Sequence, residues 1–428
     1  RIGQCDAQPF QRLRRGRQRD PRIHVRPQHL GAAPAQGRRQ QVASAAAGDQ
    51  ADAALRDGML AQPMTPLQVQ AKVAAAAVAD AKLSLRDVDG LLTAGQWGVP
   101  GVGQLPTISV GEYLGIVPRF CDGTNIGGAA FESHVGHATM AIERGMCEVA
   151  LITYGSTQKS ARSRTLGGRP PALTMQYETP WGLPTPVGGY AMAAMRHMHE
   201  FGTTSEQLAE VAVAARAWAG LNPGATHRQP LSVSDVLASP MISDPLHLLD
   251  SCLVTDGGGA IVMTTAEHAR ALGVQPIHVR GFGEAHTHWS IANMPDLAWH
   301  TAAERSGRDA LRMAGVGPNA IDLVEIYDSF TITVLMTLEA LGFCGRGESG
   351  GFVAGSRIAP GGSFPMNTNG GGLSYAHPGM YGIFLLIEAV RQLRHECGER
   401  QVAGASTALV HGTGGTLSSS ATCILSRS

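Results

Sequence analysis

Apolar positions at helical spacing alternate with short apolar runs from about residue 64 onward. An apolar stripe among good helix formers predicts a helix over 67–81, and a run of small residues predicts a second helix over 127–144. The apolar run that follows, 147–156, predicts a buried strand ending in a glycine turn. A helix followed by a buried strand is typical of an α/β fold.

The alternation stops over about 156–245 and then resumes. That segment is rich in Pro and Gly and contains two predicted helices, so we predict an inserted loop subdomain of the kind that commonly covers a substrate. The later elements are predicted at 260–265, 266–272, 277–281, 301–314, 323–327, 331–341, 382–394, 408–411 and 420–426. Because their order repeats that of 65–265, we predict a duplicated fold with halves at 59–272 and 273–428.

Residues 1–58 differ from the rest of the chain. Ten Arg and eight Gln fall within the first 41 positions, and the few apolar residues follow neither the helix period nor the strand period. We therefore predict that 1–58 is an atypical, disordered leader. Phe10 is the only Phe, Tyr or Trp in this segment, which argues against a nucleic-acid-binding arm.

Composition excludes several classes of function. The 34 basic and 34 acidic residues cancel, so we expect no nucleic-acid partner, and the apolar runs are too short to span a membrane. The seven cysteines are scattered and include no Cys-x-x-Cys pair. This pattern argues against a disulfide framework and a metal site, and it favours a cytoplasmic location.

Five glycine-punctuated segments place polar residues where a strand meets a turn or a helix, which is where α/β sheets present ligands. These segments are 122–128, 255–260, 325–330, 367–380 and 411–416. None of them matches a P-loop or a dinucleotide fingerprint, so a nucleotide-phosphate motif is disfavoured. Asp256 and Asp328 lie in glycine-rich or helix-opening contexts, and we predict that both are helix N-caps.

In this order and spacing, the five segments resemble the thiolase superfamily, especially its lipid-transfer and sterol-carrier thiolase-like branch, over about residues 64–428. The resemblance implies an α/β fold with duplicated α-β-α-β-α layers, a homodimer, and a coenzyme A thioester as substrate without a covalently bound cofactor. It also implies that Asn125, Gly127, Gly414 and Gly415 contact the acyl-CoA.

The chain departs from the thiolase pattern at both catalytic thiols. A thiolase has its nucleophilic cysteine at the start of a buried helix, where the helix dipole and backbone N–H groups favour the thiolate. Asn125, or a Gly beside it, matches that position here, and Cys121 comes too early. His411 occupies the position of the second thiolase cysteine. Because an amide cannot form an acyl-enzyme, the resemblance implies chemistry without a cysteine nucleophile.

Four residues are candidates for that chemistry, and each has a structural alternative. Tyr327 matches a position at which thiolases supply an oxyanion-hole Asn or a His, and its alternative is packing at the end of a strand. His377 matches the catalytic His motif of the family, and its alternative is a hydrogen bond to the backbone. Tyr375 and Tyr381 flank that turn, and the alternative for either is simple packing. His411 precedes a glycine-rich turn, which its ring would otherwise cap.

A retro-aldol cleavage of a 3-hydroxyacyl-CoA needs enolate stabilisation and proton transfer but no thiol. Cys-less thiolase-like proteins of the steroid side-chain-degrading type perform it together with a small partner that combines a zinc ribbon and an OB-fold. The resemblance implies this reaction here, with Tyr327 as base and His377, Tyr375 or His411 as donors to the enolate. A phenol with the ordinary pKa of about 10 is protonated at pH 7, so a base at Tyr327 requires a lowered pKa.

Three alternatives stay open on the sequence. One is a thiolase-type acetyl-CoA acetyltransferase that uses Cys121 or Cys344. The second is a condensing enzyme that depends on a partner subunit for its acyl groups. The third is a non-catalytic lipid-transfer or scaffold subunit.

Overall fold

The computed structural model describes residues 41–44, 55–56, 58–97, 105–161, 176–183 and 186–427. In these ranges the strands are β1 (Gln41–Ser44), β2 (Leu55–Arg56), β3 (Met59–Leu60), β4 (Gly90–Leu92), β5 (Gln96–Trp97), β6 (Phe120–Asp122), β7 (Ala150–Ser156), β8 (Met241–Ser243), β9 (Leu246–His247), β10 (Gly257–Thr265), β11 (Ile277–His286), β12 (Leu323–Ile326), β13 (Thr407–Gly414) and β14 (Ser419–Ser426). The α-helices in the same ranges are α1 (Pro66–Asp80), α2 (Pro106–Leu114), α3 (Ala130–Glu143), α4 (Val187–Phe201), α5 (Ser205–Gly220), α6 (Val233–Ala238), α7 (Ala266–Ala271), α8 (Thr301–Ala314), α9 (Thr331–Ala340), α10 (Ser349–Val353) and α11 (Gly382–Arg394). A π-helical turn over Gly371–Tyr375 precedes α11.

A mixed sheet runs in the strand order β12-β13-β14-β11-β1-β10-β7-β4-β6, and β5 also pairs with β7. The pairs β12–β13 and β4–β7 are parallel, whereas β13–β14 and β10–β7 are antiparallel. Strands from the two halves of the chain therefore lie on opposite sides of β1. The parallel strand pairs β12–β13 and β4–β7 are each connected through helices, as expected for an α/β fold.

The helices α3 and α11 lie between the two parts of this sheet. α3 contacts β7 and β10 on one side and β11, β13 and β14 on the other, and α11 contacts β10, β12 and β13. α1 packs on β7 and β10 from outside, and α8 packs on β11 and β14. The predicted α-β-α-β-α layers are thereby confirmed.

Small residues allow α3 to be buried between two sheet faces. A Cβ added to Gly136 would lie only 2.6 Å from a ring atom of Phe282 on β11. Ala130, Phe131 and Val135 of α3 belong to a core cluster that also includes residues of β7, β10, β13 and α11. A helix buried on most faces needs this composition, which explains the Ala- and Gly-rich pattern of 127–144.

The strand β1 corrects the prediction for residues 1–58. Val42 and Ala43 pair with Thr264 and Met263 of β10, and also with His278 and Ile277 of β11. The segment therefore contains a strand that is hydrogen-bonded on both sides, and β2 adds a short pairing with β3. The prediction that 1–58 is disordered is therefore wrong at 41–44 and 55–56. Apart from Gly58, the other residues of this segment lie outside the described residues.

The inserted segment has the two helices that the sequence predicts, α4 and α5. Thr204 begins α5 with a capping box, in which Thr204 N–H donates to Gln207 Oε1 at 3.0 Å and Gln207 N–H donates to Thr204 Oγ1 at 3.4 Å. α5 packs on α9, α10 and the π-helical turn 371–375. The insertion thus reaches the segment that precedes the predicted catalytic histidine. In the described ranges no helix is both long and apolar enough to cross a bilayer.

Candidate active site

Tyr327 and His377 form a buried hydrogen-bonded pair, although 50 residues separate them in the chain. Tyr327 directly follows β12, and its Oη lies 2.8 Å from His377 Nε2. The N–H of Tyr381 donates to the same Oη at 3.2 Å, which leaves the phenol hydrogen for His377. The two rings meet edge to face with centroids 5.6 Å apart. The structure therefore joins two of the four residues that the sequence predicts.

A glycine at the start of α3 makes room for the Tyr327 ring. A Cβ on Gly128 would lie 2.1 Å from Tyr327 Cε2 and 2.6 Å from the Thr413 carbonyl oxygen. The neighbouring Gly127 has φ of 73° and approaches Gly414 so closely that its Cβ would lie 3.0 Å from Gly414 Cα. The segments 122–128 and 411–416 thus meet beside Tyr327, and only glycine permits this approach of two backbones.

Asn125 lies on the exposed side of this glycine-lined turn. Its Oδ1 accepts a hydrogen bond from the Gly127 N–H at 3.1 Å, which shapes the turn before α3. The predicted group Asn125, Gly127, Gly414 and Gly415 is brought together by the fold, because a Cβ on Gly127 would also lie 3.0 Å from Gly415 N. Its predicted contact with acyl-CoA stays a prediction.

Thr255 positions the backbone of His377. The His377 N–H donates to Thr255 Oγ1 at 3.0 Å, and the Thr255 N–H donates to the His377 carbonyl at 3.2 Å. Two of the predicted glycine-punctuated segments, 255–260 and 367–380, therefore pair directly. These two hydrogen bonds hold the histidine backbone, while Tyr327 contacts its ring.

Burial keeps both members of the pair neutral at pH 7. It lowers the pKa of His377 to about 4 and raises the pKa of Tyr327 well above its ordinary range. The pKa of Tyr327 is therefore raised, not lowered as the sequence-based prediction of a base at Tyr327 requires. A neutral imidazole can instead accept the phenol proton, so the pair can move a proton without first forming a phenolate.

Tyr381 contacts Tyr327. The Tyr381 ring lies 5.9 Å from the Tyr327 ring, and its hydroxyl donates to Asn369 Oδ1 at 2.8 Å. The Tyr375 ring packs edge-on against Phe384 of α11, with centroids 6.1 Å apart. These contacts support the packing alternative for Tyr375.

His411 faces away from the Tyr327–His377 pair, which corrects its prediction as a catalytic residue. On β13, Val410 belongs to the central core cluster and Gly412 lies against Glu132 of α3. The intervening His411 must point to the opposite face of the sheet. There its Nδ1 lies 2.8 Å from Thr422 Oγ1, and its ring meets His300 at 5.9 Å. Burial lowers the pKa of His411 to about 3, so this imidazole is a neutral core residue.

The cysteines of the thiolase-type alternative do not have nucleophilic surroundings. Burial raises the pKa of Cys121, and it raises the pKa of Cys344 to about 12. Both shifts favour the thiol over the thiolate that a nucleophile requires. Cys252, whose pKa burial and Asp328 also raise, lies near enough to Tyr327 to interact with it electrostatically.

A basic cavity of 530 Å³ lies beside the π-helical turn. It is lined by Arg216, Gly220, Thr226, His227, Arg228 and Gln229. Thr226 N–H and His227 N–H donate to the Tyr375 and Ser374 carbonyls at 3.0 Å, which joins the cavity wall to the segment that carries His377. The sequence contained one signal for this cavity, two arginines near the end of a predicted helix in the insertion.

A buried acid near the pair, Glu132, was also not predicted as a site residue. Glu132 of α3 is 1% exposed, and neither of its carboxyl oxygens has a hydrogen-bond partner within the described residues. Burial raises the pKa of Glu132 to about 8, so it is mostly protonated at pH 7. Carbons of Gly382 and Gly412 pack against this carboxyl group, since a Cβ on either would lie within 2.5 Å of Oε2.

Neither aspartate that the sequence predicts as a helix N-cap has that role. Phe330 occupies the N-cap position of α9, and Asp328 accepts hydrogen bonds from Gly372 and Leu373 instead. Asp256 precedes the strand β10 and accepts from the Leu60 N–H at 3.1 Å and the Ser160 N–H at 2.9 Å. Both predictions were wrong because the partners of these carboxylates are distant in sequence.

Comparison with known proteins identifies the family of this chain. Residues 283–427 match the profile described as "Thiolase C-terminal domain-like". A steroid side-chain-cleaving aldolase of Thermomonospora curvata is 34% identical over 346 residues, which are 77% of this chain and 85% of that protein. This chain belongs to the thiolase superfamily. The resemblance to its thiolase-like branch, predicted from five short segments, is confirmed.

Other relatives show how this thiolase-like protein stands within the superfamily. The 17-hydroxy-3-oxo-4-pregnene-20-carboxyl-CoA lyase of Mycobacterium tuberculosis is 34% identical over 340 residues, covering 77% of this chain and 86% of that enzyme. An acetyl-CoA acetyltransferase of Methanothermobacter thermautotrophicus is 38% identical over 239 residues, but these cover only 56% of this chain and 62% of that enzyme. The solved structure of an Ltp2-ChsH2(DUF35) aldolase superposes with a TM-score of 0.79 at 31% identity, covering 90% of this chain and 97% of that one.

Proposed function

We propose that this thiolase-like protein is a carbon-carbon lyase that cleaves a 3-hydroxyacyl-CoA of a lipid or steroid side chain by a retro-aldol reaction. The observation that carries the proposal is the Tyr327–His377 pair at 2.8 Å, in a chain that has Asn125 at the position of the thiolase nucleophile. The relatives that match over 77% of the chain support it, since they are named as an aldolase and a CoA lyase.

The pair supplies a route for the proton that a retro-aldol step releases. As the carbon-carbon bond breaks, the 3-hydroxyl proton moves to Tyr327 Oη while the phenol proton moves to His377 Nε2. The hydroxyl carbon becomes a carbonyl, and the bonding electrons pass to the α-carbon and the thioester oxygen as an enolate. Return of the proton through the same two groups to the α-carbon completes the reaction and restores both neutral side chains.

The proposed acyl-CoA site combines the glycine-lined turn and the basic cavity. The turn at Asn125, Gly127, Gly414 and Gly415 lies beside Tyr327 and offers backbone groups to the thioester end. The cavity presents Arg216 and Arg228, and guanidinium groups are well suited to the phosphates of coenzyme A. We also propose a homodimer. It is supported by the edge of β6, which pairs only with β4 among the described strands, and by the exposed side chains of Ile108 and Tyr113 on the neighbouring helix α2.

We expect that Arg228→Gln raises KM for the hydroxyacyl-CoA and Kd for free coenzyme A by about tenfold, with kcat little changed. The reason is that a lost charge-assisted hydrogen bond to phosphate weakens the ground state and the transition state equally. Calorimetric titration with coenzyme A measures Kd, and initial rates measure KM. Arg312→Gln is the control, because the Arg312 side chain is 77% exposed on α8 and its ion-pair partner, Asp309, is on the same helix. An unchanged Kd in Arg228→Gln would exclude the cavity as the phosphate site.

The proposed function predicts cleavage without an acyl-enzyme. Incubation with 17-hydroxy-3-oxo-4-pregnene-20-carboxyl-CoA should release a short acyl-CoA and a ketone, and intact-mass spectrometry with acetyl-CoA should show no adduct on any cysteine. The assay includes the small zinc-ribbon and OB-fold protein that we propose as partner, a proposal supported by the two-part name of the similar solved structure, "Ltp2-ChsH2(DUF35) aldolase". A stoichiometric acyl adduct would establish an acyltransferase instead, and Cys252 would then be the first thiol to map, since it lies near Tyr327.

A further inference from the structure

The carboxylate of Asp328 holds the π-helical turn that leads to His377. Its Oδ1 accepts from the Gly372 N–H at 2.6 Å and its Oδ2 accepts from the Leu373 N–H at 3.2 Å. Gly371 has φ of 65°, and a Cβ there would lie 2.0 Å from Oδ2. Glycine is therefore needed at 371 for the carboxylate to reach the two donors. Asp328 is fully buried, so water does not compete for these hydrogen bonds.

This turn connects the parts of the proposed site to one another. The Leu253 N–H donates to the Gly372 carbonyl at 2.9 Å, which ties the turn to the loop that carries Thr255. The Ser374 and Tyr375 carbonyls accept from the rim of the basic cavity. A Cβ on Gly372 would lie 3.0 Å from Asp328 Oδ1 and 3.2 Å from His377 Cδ2, so the carboxylate is also close to the histidine ring.

The pKa shifts of the titratable groups that face Asp328 favour their neutral forms. Tyr381 at the start of α11, Cys252 in the loop before β10 and Glu325 on β12 all interact with its charge, and burial raises the pKa of each. His377 is neutral because burial lowers its pKa. The Gly372 and Leu373 N–H groups stabilise this buried carboxylate, with further hydrogen bonds from its own backbone and from the Asn367 side chain. A protonated carboxyl would bind the two backbone donors of the turn more weakly.

We propose that Asp328 is a positioning residue, whose carboxylate fixes the turn 371–375 and thereby holds both His377 at Tyr327 and the rim of the coenzyme A cavity. The expected effect on kcat rests on the proposed function, but the expected effect on the turn 371–375 can be measured without turnover. Burial raises the pKa of Asp328 to about 7, whereas that of His377 is about 4. An acid limb of kcat near pH 7 would thus come from Asp328, because the carboxylate form is lost as the pH falls.

Asp328→Asn is the test, because the amide keeps the size of the side chain but turns one acceptor into a donor. At about pH 8, hydrogen exchange of the peptide 366–380 should speed up about tenfold, while the peptide 407–414 stays protected. We expect kcat to fall by ~10²-fold and the acid limb to disappear, since displacement of a catalytic group by about 1 Å has that effect. Kd for coenzyme A should rise severalfold.

Asp322→Asn is the matched control. Asp322 is exposed just before β12 and likewise accepts two backbone hydrogen bonds, from Ser406 and Thr407 at 3.0 Å, but far from the turn. The Asp322→Asn variant should leave the hydrogen exchange of 366–380 and kcat unchanged. If Asp328→Asn does not fold, the wild-type protein gives the second measurement: exchange of 366–380, corrected for its intrinsic pH dependence, must rise between about pH 8 and pH 6.

Three outcomes would overturn the proposal. The first is unchanged exchange of 366–380 in Asp328→Asn, or in the wild-type protein across the pH range if the variant does not fold. The second is faster exchange with wild-type kcat, which would leave Asp328 a purely structural role. The third is an unchanged Kd for coenzyme A in Asp328→Asn. If the wild-type protein cleaves no hydroxyacyl-CoA, the proposed function fails, but hydrogen exchange and the Kd for coenzyme A still test the role of Asp328.

Discussion

Replacement of Tyr327 by Phe should lower kcat for hydroxyacyl-CoA cleavage by ~10²- to 10⁴-fold, the range expected when a proton-transferring group is lost. The ring keeps its packing against Gly128 and His377, so the variant should fold. Its stability should fall by about 1–3 kcal/mol, because the buried His377 Nε2 and Tyr381 N–H lose their hydrogen-bond partner. Initial rates and urea unfolding measure the two effects separately.

Ser306→Ala is the control for this variant. Ser306 of α8 is also buried, and its hydroxyl donates to the Ala303 carbonyl at 3.2 Å and lies 2.9 Å from Thr422 Oγ1. Its loss should lower stability but change kcat far less. His377→Ala should reduce kcat as Tyr327→Phe does, because it removes the other half of the same proton route. Wild-type activity in both Tyr327→Phe and His377→Ala would remove the pair from the mechanism.

The second large effect concerns stability and its dependence on pH. Glu132 has a folded-state pKa of about 8, raised by burial from an ordinary 4.5. Between these values the unfolded chain releases a proton that the folded protein retains, so the free energy of unfolding falls as the pH rises and levels off above about pH 8. A shift of this size corresponds to a few kcal/mol, at about 1.4 kcal/mol for each pH unit.

Glu132→Gln should abolish most of that slope. The amide resembles the protonated carboxyl in shape and does not titrate, so the variant should gain stability over the wild-type protein at about pH 8–9 and differ little near pH 5. Urea unfolding at a series of pH values measures the slope, with Glu112→Gln on the exposed side of α2 as control. Equal slopes for the wild-type protein and Glu132→Gln would mean that Glu132 is ionised in the folded state.

Much of the candidate site could be predicted because its residues lie in local patterns. Tyr327 stands at the end of an apolar strand and His377 in a Pro-Gly turn, and both segments match a family motif. Glu132 and Asp328 could not be predicted as site residues. Glu132 is one polar residue within a helical pattern, and Asp328 precedes a helix as an N-cap would, so only their partners from distant segments distinguish them.

His411 shows a second limit, which concerns the faces of a buried strand. β13 is apolar or small on both faces, because helices cover the sheet on both sides. Such a strand lacks the alternation of polar and apolar positions that would indicate which side chains face the central layer. Position in the motif alone therefore placed His411 in the site, whereas packing against His300 turned it away.

The sequence by itself determined most of the helices and strands from residue 64 onward, including α4 and α5, and the resemblance to the thiolase superfamily carried by the five glycine-rich segments. Periodicity and turn residues act over a few positions, so they can be read without knowing what packs against them. Tertiary structure alone decided that Tyr327 meets His377, that Asp328 binds the 371–375 turn, that Arg216 and Arg228 line one cavity, and that 41–44 completes the sheet. These pairings depend on which distant segments share a buried face, and burial also sets the protonation states on which the chemistry depends.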